Sequence, residues 1–86
     1  MLFLVKWTIT PGARDAGNAR FKQTGGGPPA GVKMIGRWHG LDGTGALIAD
    51  TNDPIALGKW LQEWSDLLQF EVTPAVDDAG VAQIIA

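Results

Sequence analysis

The chain has 86 residues, of which seven are basic, nine acidic and one histidine; it contains no cysteine or tyrosine and a single serine, Ser65. That length builds one domain, 1–86, and the missing cysteines exclude disulfide staples, zinc ribbons and thiol nucleophiles. A formal charge of -2 offers no field to hold a nucleic-acid backbone, and 45% hydrophobic with 19% charged residues marks a globular chain rather than a disordered one.

The opening apolar stretch stops at Lys6, too soon for a signal peptide or a membrane span. A cytoplasmic protein with neither membrane nor nucleic acid as partner is expected, and the lack of cysteine suits a reducing compartment.

Residues 2–9, LFLVKWTI, read as a first strand. Phe3, Val5, Trp7 and Ile9 make one wholly apolar face, Leu2, Leu4, Lys6 and Thr8 make the other, and Pro11-Gly12 ends it. Residues 13–23 are a helix with a thin stripe of Ala13, Ala16 and Phe21. Gly17 costs that helix about 1 kcal/mol relative to alanine, so it depends on packing against a sheet. Residues 24–31, TGGGPPAG, form a glycine-rich loop. It lacks the Gly-Lys-Ser/Thr ending and following helix of a phosphate cradle, which leaves a lid as its functional reading.

Residues 32–39, VKMIGRWH, alternate as a second strand, with Val32, Met34 and Trp38 on one side and Lys33, Ile35, Arg37 and His39 on the other. Asp42-Gly43 signals a hairpin, and residues 44–51 return as the third strand. The clearest helix is 54–66, with Asp53 as cap and Pro54 at its first position. Leu57, Trp60, Leu61, Trp64 and Leu68 form its apolar stripe, which places both tryptophans in the core. Residues 69–77 are the fourth strand, at an edge or a bulge because of Pro74. The tail from Asp78 is a terminal helix or an arm reaching a partner.

This β-α-β-β-α-β order predicts an α+β, ferredoxin-like domain: an antiparallel four-stranded sheet with two helices on one face. The expected helix-facing sets are Phe3/Val5/Trp7, Val32/Met34/Trp38, Ala46/Ile48 and Phe70/Val72. The other face then carries Leu2, Leu4, Ile35, Leu47 and Ala49 uncovered, which predicts a homodimer pairing sheet to sheet. Lys6, Arg37, His39, Glu71 and Thr73 are expected on that same face, giving an inter-sheet space that is apolar with a polar sector, suited to a small molecule.

Gly36-Arg37-Trp38-His39-Gly40, Glu63-Trp64-Ser65-Asp66, Phe70-Glu71-Val72-Thr73-Pro74 and the opening Val5-Lys6-Trp7 resemble a family of short bacterial proteins of unknown function. That family looks like part of the dimeric α/β-barrel superfamily, and the resemblance runs from Met1 to about Asp78. It implies the ferredoxin-like sheet and its pairing into a dimeric α/β barrel. The superfamily spans cofactor-free monooxygenases, muconolactone isomerase-like enzymes, haem-degrading and chlorite-reducing enzymes and stress-response barrels, so the resemblance transfers no catalytic residue.

Histidine is the side chain that ordinarily titrates near neutrality, which makes His39 the first candidate for a catalytic acid or base and Glu71 the second. The plainer reading of His39 is a strand-end residue without chemistry. Arg37 suits a carboxylate or phenolate on a ligand, or else pairs with Glu71, Asp50 or an acid of a partner chain. Lys6 and Glu71 can pair across neighbouring strands, and Thr73 completes the candidate ligand-binding set. Ser65 lacks the glycines of a nucleophile elbow and ends a helix far from His39, which argues against a hydrolase. One histidine with Asp42 or Asp50 is a poor donor set for zinc or haem, so no metal or cofactor is expected. The expected function is a homodimer binding a small aromatic or anionic molecule between its sheets. The alternatives are a cofactor-independent monooxygenase- or isomerase-like enzyme using His39 and Arg37, and a dimeric interaction protein with no ligand.

Overall fold

Alternation of apolar side chains builds β1 (Leu2–Ile9), where Phe3, Val5, Trp7 and Ile9 share one face. The computed structural model describes all 86 residues and continues with α1 (Arg14–Thr24), β2 (Lys33–His39), β3 (Thr44–Asp50), α2 (Pro54–Gln62), β4 (Leu68–Ala75) and a short α3 (Asp78–Ile84). The strands form one antiparallel sheet in the order β2-β3-β1-β4, the ferredoxin-like α+β arrangement. No helix is long and apolar enough to cross a membrane.

Local chemistry sets the boundaries. In α2 the Asp53 carboxylate accepts from the Ala56 amide at 3.0 Å, and Pro54 fills the first turn. α2 stops at Gln62 rather than Asp66. A run of tight turns follows, in which Trp64 N–H donates to Leu61 O and the amides of Leu67 and Leu68 both donate to Trp64 O. Trp64 and Leu67 still reach the core from these turns. α1 ends on Gly25, whose φ of 73° is the left-handed conformation that closes helices, with its amide on Phe21 O. β4 pairs only with β1, so Pro74 sits on an edge strand, where its missing amide costs no ladder bond.

The core is Val5, Val32, Leu47, Ala49, Leu57 and Trp60, with Phe3, Trp7, Met34 and Phe70 packed against it. The register corrects the expected faces. Val5 lies opposite Leu47 and Phe3 opposite Ala49, so Leu47 and Ala49 pack under the helices while Ala46 and Ile48 face away. In β2, Met34 is opposite Ala49 but Gly36 is opposite Ile48, so Ile35 is an extra residue in a β-bulge. One inserted residue reverses every side chain beyond it. Arg37 and His39 therefore turn to the helix side, opposite Leu47 and Gly45, and Trp38 turns to the open side, opposite Ala46. The bare face survives with a changed membership: Leu2, Leu4, Ile35, Trp38, Ala46 and Ile48, with Trp38 and Ile35 well exposed.

The two helical segments are tied by Arg20 of α1. Its guanidinium holds Asp66 through two bonds of 2.8 Å, donates to Glu63 O at 2.9 Å, and lies 5.4 Å from the centre of the Trp64 ring. The hydrogen bonds from Arg20 hold the Asp66 carboxyl below the usual carboxylate range. A carboxylate depressed in the folded state stabilises above its unfolded value, about pH 4, and that contribution disappears as the pH falls through the lower folded value. Asp66→Asn should therefore lower Tm at neutral pH, with the gap to the parent closing below about pH 4. Thermal melts of both proteins from neutral to acid pH would measure this; a gap that stays constant would mean that the pair is not formed in solution.

Candidate functional site

The bulge in β2 divides the candidate residues between the two sides of the sheet. Lys6, Glu71 and Thr73 remain on the open face. Lys6 is opposite Glu71, with their charged groups 3.7 Å apart and both exposed, so they form a loose surface pair. Thr73 is opposite Leu4. Arg37 and His39 stand on the helix side, which corrects the expectation of a single constellation between two sheets.

On that side the sheet and helices flank an open-sided cavity of about 200 Å³. β1 and β4 supply Trp7 and Phe70 to its floor, α2 and the turn after it supply Trp60 and Trp64, and α1 supplies Gly17, Asn18 and Phe21. Two glycines shape it. Gly45 has no side chain, and a Cβ there would collide with the Trp7 indole, so the ring can lie across β3 towards His39. Gly17 is buried in α1, and a Cβ there would meet nothing within 4 Å, so the helix presents bare backbone to the space. Phe21, Asn18 and His39 are exposed, and they mark the side open to solvent.

His39 stands at that rim between two aromatic rings. Its imidazole lies edge-on to Trp7 at 5.9 Å and to Phe21 at 5.3 Å. No group of three or more histidine, cysteine or carboxylate side chains comes together to hold a metal ion.

Arg37 lines the cavity but is already engaged. One guanidinium nitrogen donates to Gly26 O at 2.7 Å and the other to Gly25 O at 3.0 Å, while the group lies 4.9 Å from the Phe21 ring centre. Burial pushes its pKa below the ordinary guanidinium value. Its partners are backbone carbonyls, where the sequence suggested Glu71, Asp50 or a ligand. At the other end of the loop the Thr51 hydroxyl donates to Gly31 O at 2.6 Å. The glycine-rich loop is therefore pinned at both ends. Ser65 donates its hydroxyl to Gln62 O at 3.0 Å, the helix-ending use expected of it.

Sequence reasoning missed Gly17, Asn18, Phe21 and Gly26 as cavity residues. The one available signal was Gly17, an isolated glycine within a helical pattern, which costs helix stability and leaves a stretch of bare backbone. A family model described as a domain of unknown function (DUF3303) matches residues 1–86. No curated protein and no solved structure matches the chain.

Proposed function

The chain belongs to the DUF3303 family, a domain of unknown function, and we propose that it binds a small molecule in the helix-side cavity and works as a homodimer. The carrying observation is the cavity itself. A domain with only 13 of 86 residues buried has little packing to forgo, yet it leaves about 200 Å³ open among its largest aromatic side chains. Close packing is the rule in protein interiors, and an apolar space with a few convergent polar groups is the usual form of a ligand site. Gly17 provides the test. Gly17→Leu extends a side chain into the space from a residue that otherwise favours helix. The parent should bind 2-naphthol saturably in calorimetry and the variant should not, with its melting transition retained. Equal binding by both would place the ligand elsewhere.

The homodimer rests on the bare face of Leu2, Leu4, Ile35, Trp38, Ala46 and Ile48, and on the resemblance to dimeric α/β barrels. Val81 and Ile84 of α3 and Ile85 at its C-cap are exposed apolar side chains as well. The 9.1 kDa chain should sediment at twice its mass at micromolar concentration, and Ile48→Lys should return it to a monomer. A parent that sediments as a stable monomer would remove this part of the reading.

One observation favours a second reading, an enzyme of the cofactor-independent monooxygenase or isomerase kind. His39 has aromatic edges around it and no hydrogen-bond partner in the chain, which leaves its nitrogens to a substrate at the rim. Under that reading Arg37 positions the loop, to which both of its terminal nitrogens donate.

A further inference from the structure

We propose that the helix-side cavity takes aromatic carboxylates of one or two fused rings, with the carboxylate on Arg37 and the rings among the aromatic side chains of the wall. The inference rests on the binding reading above and adds the chemical class of the ligand.

The charge of Arg37 has no answer within the chain. The ion pairs are Met1 with Asp50, Lys6 with Glu71 and Arg20 with Asp66, and Arg37 belongs to none of them. Its two hydrogen bonds go to the neutral carbonyls of Gly26 and Gly25. A guanidinium carries five N–H groups, so with two in use three are left for a ligand. The side chain is half-buried, and its pKa is lowered by burial with no acid to offset the loss. A carboxylate supplies the missing charge and accepts from the remaining N–H groups of the planar fork. The wall itself carries no aspartate or glutamate; its ionisable residues are Arg37 and His39. In a chain with nine acidic and seven basic residues, this cation is left unpaired beside an open space. The loop bonds fix the fork before a ligand arrives, which lowers the ordering cost of binding.

The same corner brings the charge against aromatic surface. The guanidinium lies 4.9 Å from the Phe21 ring centre. The position that a Cβ on Gly26 would take is 3.2 Å from Arg37 Nη1, 3.4 Å from Phe21 and 3.4 Å from Trp64. A ligand with its carboxylate on Arg37 therefore has rings to pack on at once, and Trp60, Trp7 and Phe70 extend that wall. An apolar cavity of about 150 Å³ accepts benzene. About 200 Å³, open on one side, has room for a substituted ring or a second fused one.

The experiment compares pairs that differ mainly in charge: 2-naphthoate with 2-naphthol and 4-methylbenzoate with p-cresol. Each is titrated calorimetrically at neutral pH into the full chain, Gly17→Leu and Arg37→Gln, with thermal melts to show that the variants are folded. The parent should bind each carboxylate at least about tenfold more tightly than its neutral partner, the effect of hydrogen bonds to a charged group. Added salt should weaken the carboxylates and not the neutral compounds. Arg37→Gln, which keeps an amide for the loop and removes the charge, should bring the members of each pair to similar affinity, and Gly17→Leu should lose all four. The comparison on the parent decides the preference even if Arg37→Gln does not fold. Neutral compounds that bind the parent as well as the carboxylates, and are lost in Gly17→Leu, would overturn the anion selection while the cavity remained the binding site. A preference that persists in folded Arg37→Gln would overturn the assignment to Arg37. If no compound binds, or if Gly17→Leu binds them all as the parent does, the binding reading itself fails and the selection with it.

Discussion

Trp60→Ala should destabilise the fold by about 3–5 kcal/mol, the range for deleting a large buried aromatic side chain. Trp60 is 4% exposed and belongs to the core cluster with Val5, Leu47, Ala49, Leu57 and Val32. It projects from α2, whose other buried residue is Leu57, so the indole carries much of what holds that helix on the sheet. Its ring also walls the cavity, and removing it would join new space to old, where neighbours have little to collapse onto. A domain of this size has a total stability near the low end of about 5–15 kcal/mol. On the scale of about 4–8 °C per kcal/mol, Tm should fall by more than about 12 °C, measured by circular dichroism. A variant melting with the parent would show that α2 is held by something other than this side chain. Gly17→Ala should move Tm the opposite way, since it relieves a glycine in a helix and its methyl meets open space.

The strand order and the burial of Trp60 and Trp64 were legible in the sequence because each rests on a strong local pattern. Asp53-Pro54 opens α2, and the stripe from Leu57 to Trp64 has one phase only. The two errors of face have a shared cause. β3 reads ALIA, which is apolar on both sides, so alternation there does not choose between Ala46/Ile48 and Leu47/Ala49; only the pairing of Val5 with Leu47 does. In β2 the bulge at Ile35 is a property of two strands, and a single strand's sequence carries no mark of it beyond Gly36, which lies under the Trp38 ring. The candidate site inherited that ambiguity. His39 and Arg37 belong together, as their spacing suggested, but on the opposite side of the sheet from Lys6, Glu71 and Thr73. The wall that the sequence left out, Gly17, Asn18 and Phe21, comes from α1, whose pattern was the weakest in the chain.

Arg37→Ala is the variant for which the structure changes the expected outcome most. From sequence, its loss weakens an anionic ligand and leaves the fold intact. In the structure, the guanidinium holds the first residues of the loop by bonds of 2.7 and 3.0 Å to Gly26 and Gly25, and it covers Phe21. Hydrogen bonds to a charged group contribute about 1.5–3 kcal/mol, so the variant should be destabilised by that order. The buried Gly26 would be left with an unanswered carbonyl, which water must enter to satisfy. Loss should be local before it is global: amide exchange should accelerate first around Gly25–Gly27, while β1 and β3 keep their protection. Arg37→Lys should rescue little, because one ammonium cannot reproduce a planar fork that answers two carbonyls at once. Calorimetric melts and hydrogen exchange on the parent and both variants would measure this. An Arg37→Ala protein with unchanged melting, unchanged exchange and weakened binding of 2-naphthoate would show instead that the guanidinium serves the ligand alone and does not hold the loop.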